Sequence, residues 1–119
     1  MSQAPAPATP LSDIEFHRLT QTVLDRVEST VDRWLQDDVI DIDLNRTGGL
    51  LELGCPDGSK IVLNTQPPLH ELWLASREGG HHYRHVEGQW LDSRDGGEFF
   101  HALSQHLSRQ AGQALVLSA

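Results

Sequence analysis

The stretch KIVLNTQPPLHELWLASREGGHHYRHV, residues 60–86, contains three runs rich in aliphatic, β-branched and aromatic residues. The first break between these runs is Gln66-Pro67-Pro68, and the second is Gly79-Gly80. Proline cannot donate a hydrogen bond to a neighbouring strand, and glycine pairs are typical of turns. The pattern therefore predicts three consecutive antiparallel strands, at residues 60–64, 71–76 and 81–86.

Further strands are predicted on both sides of this stretch. Upstream, Ile40, Ile42 and Leu44 alternate with acidic residues, which indicates a half-buried strand with carboxylates on its wet face. A short strand at 50–53 follows the turn at 47–49, and Glu87-Gly88 leads into a strand at 89–91. Turns about every 8–12 residues are typical of an antiparallel meander.

A helix is predicted on each side of the strands. Ser12-Asp13-Ile14-Glu15 is a capping box, in which the side chains of Ser12 and Glu15 each accept a backbone N–H. Asp95-Gly96-Gly97-Glu98 has the form of a second capping box, and Gly112 is placed to end the helix that follows. The first helix carries one apolar stripe at steps of three and four, formed by Phe16, Leu19, Val23, Val27, Val31 and Trp34.

This order of elements predicts an α+β fold, a two-layer αβ sandwich with two terminal helices on one face of a five- to six-stranded antiparallel sheet. Two helices cannot cover both faces, so the other face should be open to water. Trp73 and Asn64 are expected there, either as a contact surface for a partner or shielded by their neighbours. The domain is predicted at residues 12–112, between a disordered Pro/Ala-rich tail at 1–11 and a C-terminal tail at 113–119.

The charge of the chain is negative and unevenly distributed. The 119 residues carry a formal net charge of −8, and residues 13–43 hold nine acids against three bases. Phosphate backbones would repel such a chain, so cations and basic protein surfaces are better candidate partners than nucleic acid. The single cysteine, Cys55, allows no internal disulfide, and no apolar run approaches the ~20 residues needed to span a bilayer. Since residues 1–10 lack a signal-peptide pattern, a cytoplasmic protein without membrane contact is expected.

Much of this acidity is predicted to form one surface, the acidic ridge. Asp25, Glu28 and Asp32 are spaced by three and four residues and form a column opposite the apolar stripe, which His17 and Gln21 extend. Carboxylate oxygens are hard ligands that suit iron, Mn²⁺ and Ca²⁺. The candidate metal ligands are Asp25, Glu28, Asp32, Asp37, Asp38, Asp41 and Asp43, with His17 and Asp13 as further candidates.

The ridge lacks the sequence marks of a dedicated metal cage, such as an EF-hand loop or a Glu-x-x-His pair. We therefore expect shallow, mostly outer-shell cation sites that salt weakens, because exposed charges are screened beyond ~8–10 Å. The alternative is a solvated acidic face that only keeps the protein in solution.

Other residues offer weaker alternatives. His81, His82 and His85 stand on one predicted strand, where imidazoles could bind a metal or haem iron, or could simply be solvated. Cys55 has no base at a recognisable spacing that would make it a reactive thiol. With no nucleophile motif or phosphate-binding loop, the sequence favours a binding protein over an enzyme.

The segment Asn64-Thr65-Gln66-Pro67-Pro68-Leu69-His70-Glu71-Leu72-Trp73-Leu74-Ala75 resembles the frataxin signature N-x-Q-x-P-x-x-x-x-W-L-A. The chain continues like that family with Gly79-Gly80-His81-His82-Tyr83. Asp57-Gly58-Ser59-Lys60-Ile61 and Glu15-Phe16-His17-Arg18-Leu19 match further family segments, of which the second is typical of bacterial members. The resemblance covers residues 12–112.

The resemblance implies two helices over an antiparallel sheet and weak iron binding, as Fe²⁺ or Fe³⁺, on the acidic ridge. It also implies regulation of iron–sulfur cluster assembly through a cysteine desulfurase and a scaffold protein. Expected partner contacts are Asn64, Gln66 and Trp73 on the sheet and Glu28 and Asp32 on the ridge. The chain would be a monomer at rest with possible iron-driven oligomers.

The ridge is thinner than the family pattern, because Ser29, Arg33, Leu35 and Val39 stand where relatives carry acids. This departure puts iron affinity and stoichiometry in doubt. The alternative functions are an iron chaperone or storage protein with ferroxidase activity, and a haem or metal binder that uses the strand from His81 to His85.

Overall fold

The structure is a computed structural model, and it describes residues 7–119. Six strands form one antiparallel sheet in which each strand pairs with the next along the chain. A one-turn 3₁₀ helix at Pro67–Leu69 separates the third and fourth strands. The elements are α1 (Asp13–Gln36), β1 (Asp43–Thr47), β2 (Leu50–Gly54), β3 (Lys60–Gln66), β4 (Glu71–Ser76), β5 (Gly79–Val86), β6 (Gln89–Asp92) and α2 (Phe99–Ala111).

Both helices pack on the same face of the sheet, as the order of the elements predicts. Residues directly opposite each other in antiparallel strands share a face, and the register places Leu51 opposite Leu63 and Leu63 opposite Leu74. These three side chains are at most 1% exposed, and they join apolar residues of α1 and α2 in one core. The predicted α+β two-layer sandwich is confirmed, with six strands.

Helix α1 begins at the predicted capping box. Ser12 Oγ accepts the Glu15 N–H at 3.1 Å, and Glu15 Oε1 accepts the Ser12 N–H at 3.1 Å. The helix ends in a Schellman motif, in which Val39 N donates to Trp34 O at 2.8 Å and Asp38 N donates to Leu35 O at 3.2 Å. Asp38 takes the left-handed conformation of this motif, with φ of 60°, where glycine is usual.

Helix α2 begins three residues later than a cap at Asp95 predicts. Its N-cap is Glu98, whose carboxylate accepts the N–H groups of Phe100 at 2.7 Å and of His101 at 3.1 Å. The predicted Asp95 cap is wrong, because Asp95 Oδ1 instead accepts the N–H of Gly97 at 2.8 Å within the turn. Gly112 ends the helix as predicted, with φ of 73°.

Both tails contact the domain where the structure describes them. Residues 1–6 of the predicted disordered tail at 1–11 lie outside the described residues. In the described part of that tail, Thr9 N donates to His85 O at 2.7 Å. The C-terminal tail at 113–119 returns along α2 and buries Leu115 and Leu117 in the core. Leu117 N donates to Ser104 Oγ of α2 at 2.8 Å.

Between residues 7 and 119, neither helix is both long and apolar enough to cross a membrane.

We predict that Asp38→Gly stabilises the fold. Glycine adopts a positive φ without steric cost, and the change removes a negative charge from the C-terminal end of α1, where the helix dipole disfavours it. Urea unfolding should give a free energy of unfolding higher by about 0.5–1 kcal/mol. Asp38→Asn is the control, since it removes the charge and keeps the side chain at this φ. Equal or lower stability of the glycine variant would contradict this reading of the helix end.

Candidate cation ridge and sheet surface

Two acids of the predicted ridge, Asp25 and Glu28, are paired with a basic side chain of the protein. Arg46 of β1 donates from Nη1 to Asp25 Oδ1 at 2.7 Å and to Glu28 Oε1 at 2.9 Å. Its Nη2 donates to Gln21 Oε1 at 2.6 Å. The carboxylate of Asp25, and with it that of Glu28, raises the pKa of Arg46 above its usual range. We call Asp25 and Glu28 the near half of the ridge.

Sequence reasoning did not assign Arg46 to the ridge, although a signal for it exists. The alternation that places Leu44 on the helix side of β1 also places Arg46 there, opposite the buried Leu51. A charged residue on that side needs an acidic partner or contact with water. Helix α1 packs over β1, so its acids are the nearest candidate partners. The pairing spans 18 residues from Glu28 and 21 from Asp25, so it becomes visible only in the folded chain.

The remaining acids, the far half of the ridge, are exposed and have no ion pair with any residue between 7 and 119. Asp37 is the C-cap of α1 and Asp38 follows it. The predicted strand from Ile40 begins later, at Asp43, so Asp41 lies in the connection before β1. The far half comprises Asp32, Asp37, Asp38, Asp41 and Asp43.

Asp43 does point outward as expected, but onto the open face of the sheet. It lies opposite Gly54, whereas its neighbour Leu44 lies opposite the buried Leu53 on the helix side. Because β1 is an edge strand, Asp43 sits at the margin of the domain. The ridge therefore runs from the helix layer around to the sheet edge rather than along one flat face.

Within residues 7–119, no three His, Cys, Asp or Glu side chains come together closely enough to hold one metal ion. A cation on the ridge would therefore contact one or two carboxylates and keep much of its water. Such a site is weak and sensitive to salt, since exposed charges are screened beyond ~8–10 Å.

The two further ridge candidates, Asp13 and His17, differ in their surroundings. Asp13 Oδ1 lies 2.8 Å from Nε2 of His70, whose ring stacks on Phe16 at a centroid distance of 4.9 Å. This contact ties the first turn of α1 to the segment between β3 and β4. His17 is exposed on α1.

The predicted sheet surface forms as one group. The register places Asn64 opposite Trp73 and Gln66 opposite Glu71, all on the open face. The Trp73 ring stacks on His82 with centroids 4.1 Å apart and planes 6° from parallel, and its Nε1 donates to Glu71 Oε1 at 2.9 Å. The indole is thus half-buried and held from two sides, with its remaining surface open.

The strand histidines do not converge on a common ligand position. His82 faces the open side, whereas His81 and His85 face the helix side and stand four residues apart, about 13 Å along a strand. His81 Nδ1 lies 3.2 Å from the buried Asp92 Oδ2. His85 packs edge-on against Trp90, with centroids 5.2 Å apart. This geometry gives no support to a haem or metal site on the strand.

Cys55 is a buried residue of the core, and burial raises the pKa of its thiol. Its Sγ lies 4.0 Å from Nε2 of Gln110, a buried residue of α2. A raised pKa disfavours the reactive thiolate.

The frataxin-like domain family matches residues 9–113 of this chain. The chain belongs to the frataxin family. The resemblance seen in the signature segment is thereby confirmed, and it holds along nearly the whole described part of the chain.

Individual relatives agree with this membership. The protein named iron-sulfur cluster assembly protein CyaY from Cupriavidus necator is 46% identical over 108 residues, which cover 91% of this chain and 97% of the relative. The protein of the same name from Burkholderia mallei is 45% identical over 109 residues, which cover 92% of this chain and 100% of the relative.

Solved structures show the same fold. Frataxin from Psychromonas ingrahamii superposes with a TM-score of 0.82 at 32% identity, over 92% of this chain and 100% of that one. Trimeric frataxin from the yeast Saccharomyces cerevisiae, complexed with ferrous iron, superposes with a TM-score of 0.67 at 21% identity, over 88% and 90% of the two chains. The yeast likeness bears on the fold alone.

We predict that one buried and one half-buried histidine make the fold sensitive to mild acid. Burial lowers the pKa of His106 from its ordinary value near 6.5, and it does the same for His85. Ser76, Glu78, His81 and Arg109 face His106, and Ser76 Oγ lies 2.7 Å from its Nδ1. Below pH 6.5 the unfolded chain binds protons that the folded chain does not, so the free energy of unfolding should fall as the pH drops further.

Urea unfolding between pH 5 and 8 measures this slope. His106→Gln should flatten the fall, whereas His101→Gln, at an exposed position of the same helix, should keep it. An unchanged slope in the His106 variant would show that other groups cause the acid sensitivity.

Proposed function

We propose that this chain binds iron weakly on its acidic ridge and acts in the cytoplasm as a regulator or adaptor of iron–sulfur cluster assembly. The observation that carries the proposal is the far half of the ridge, five exposed acids without an ion pair inside residues 7–119. The cluster-assembly name of relatives that match nearly all of this chain supports the role.

The position of these charges supports a function beyond keeping the protein in solution. Asp37 and Asp38 stand at the C-terminal end of α1, where the helix dipole disfavours negative charge by about 0.3–1 kcal/mol each. Asp38 also takes a left-handed backbone conformation that costs a residue with a side chain more than it costs glycine. A bound cation or a basic partner would relieve the repulsion that the fold maintains there.

We further propose that the chain docks on a cysteine desulfurase and its scaffold protein through two surfaces. The ridge, including Glu28 and Asp32, complements a basic patch, and the group around Asn64, Gln66 and Trp73 supplies an aromatic contact. An indole held by stacking and a hydrogen bond loses little freedom on binding, which favours its use in an interface.

The proposal is for binding rather than catalysis. A ferroxidase centre holds two irons on several shared ligands, whereas the carboxylates of the far half are spread along a helix end, a connection and a strand. The chain is proposed to be a monomer at rest, and an excess of iron could link copies through their exposed acids.

The metal part of the proposal predicts where Fe²⁺ binds. In an anaerobic NMR titration, amide signals of residues 32–43 should shift or broaden first, because the carboxylates of the far half have no ion pair within residues 7–119. Asp37→Asn combined with Asp38→Asn should weaken the effect several-fold, while Asp57→Asn, outside the ridge, should leave it unchanged. Changes centred on His81 and His85 instead would reject the ridge as the iron site.

The docking part predicts that Trp73→Arg weakens desulfurase binding. A central tryptophan commonly contributes about 2 kcal/mol or more to an interface, so the dissociation constant should rise at least about thirtyfold. Gln105→Arg on the exposed side of α2 is the control, since it adds the same charge on the opposite layer. Calorimetry with the cysteine desulfurase of the same organism measures both variants, and equal affinity of Trp73→Arg and the parent protein would refute the sheet contact.

A further inference from the structure

Arg46 is fixed beneath the near half of the ridge by the sheet. It lies on edge strand β1, and its place opposite the fully buried Leu51 puts it on the helix side. Its side chain is only 19% exposed, whereas that of Asp25 is 68% exposed and that of Glu28 is 39% exposed. The guanidinium therefore approaches the two carboxylates from the protein side, while their outer sides remain in contact with water.

The contacts of Arg46 are those of a bound cation. One nitrogen, Nη1, donates to both carboxylates, and Nη2 donates to Gln21 Oε1. Gln21, Asp25 and Glu28 are three and four residues apart, so all three oxygens project from the same face of α1. Because arginine stays protonated at every physiological pH, this cation is permanent.

The far half contrasts with this arrangement. Its five acids have no basic partner in the part of the chain that the structure describes. An incoming cation would find uncompensated charge at the end of α1, but would have to compete with a tethered guanidinium at Asp25 and Glu28.

We propose that Arg46 is an intramolecular competitor that excludes metal cations from the near half of the ridge and confines them to the far half. This inference rests on the proposed function, since it concerns the distribution of cations on the same ridge. It also gives a second physical reason why the ridge offers few metal ligands. Besides the acids that α1 lacks, Arg46 of β1 occupies two of the carboxylates that are present.

The competition has a measurable size. Removing a unit charge about 4 Å from a bound ion changes its affinity by roughly fivefold in water-like surroundings for each charge on the ion. Arg46→Gln should therefore tighten divalent cation binding at Asp25 and Glu28 by about 25-fold, with little change at Asp37 and Asp38.

Mn²⁺ is a suitable probe because it prefers oxygen ligands, stays divalent in air and broadens NMR signals only near its site. The experiment titrates the ¹⁵N-labelled full chain with Mn²⁺ alone and compares the parent protein, Arg46→Gln and Arg26→Gln. Arg26 is exposed on α1 and pairs with no acid within residues 7–119, so its variant makes the same change in net charge without freeing a carboxylate. Arg46→Met, which keeps the aliphatic stem, replaces the glutamine variant if that one folds poorly.

The expected result is new broadening around Asp25 and Glu28 in the Arg46 variant only. Equal broadening of the near and far halves in the parent protein would overturn the proposal, and so would an unchanged pattern in Arg46→Gln or the same gain in Arg26→Gln. If the parent protein binds Mn²⁺ at the far half and Arg46→Gln gains nothing, only the competitor role fails. If Arg46→Gln gains binding while the far half stays silent, the competitor role stands and the proposed iron site fails.

Discussion

The burial of a single sheet face under two helices is the constraint on which the rest of this structure depends. Leu51, Leu63 and Leu74 face one another across three strands and are at most 1% exposed, so each strand has one permitted register. A slip of one residue in the pairing would point these leucine side chains toward the solvent. It would also place the polar residues of the open face in the core. The same register fixes Trp73 on the open face and Arg46 beneath α1, so both candidate surfaces follow from the packing of the core.

The acidic ridge shows a local conflict between stability and charge. Two acids stand at the end of α1 where the helix dipole disfavours them, and Asp38 takes the left-handed position that glycine would fill at lower cost. The capping box and the buried stripe of α1 supply the stability that tolerates this arrangement. In the near half, Arg46 compensates the negative charge from within the fold, whereas the acids of the far half have no basic partner among residues 7–119 and face the solvent.

The open face differs from the ridge because its main group is aromatic and held in place. Trp73 stacks on His82 and donates to Glu71, so its orientation is set before any partner arrives. Asp43 brings the ridge onto the open face at the edge strand β1, which is separated by β2 from the group around Asn64 and Trp73 on β3 and β4.

The sequence by itself determined the features that rest on neighbouring residues or on a simple period. The capping box at Ser12, the strand Glu71–Ser76, the glycine at the end of α2 and the one-sided burial of the strands all follow from local hydrogen bonds and alternation. The cap at Asp95 failed because Glu98 has an extended backbone and bridges to Leu91 of β6, so the helix begins only at Phe99. Only the tertiary structure decided that Arg46 pairs with Asp25 and Glu28 and that Trp73 stacks on His82. These contacts join residues far apart in the chain, and their existence depends on strand register and helix docking, which no local pattern encodes.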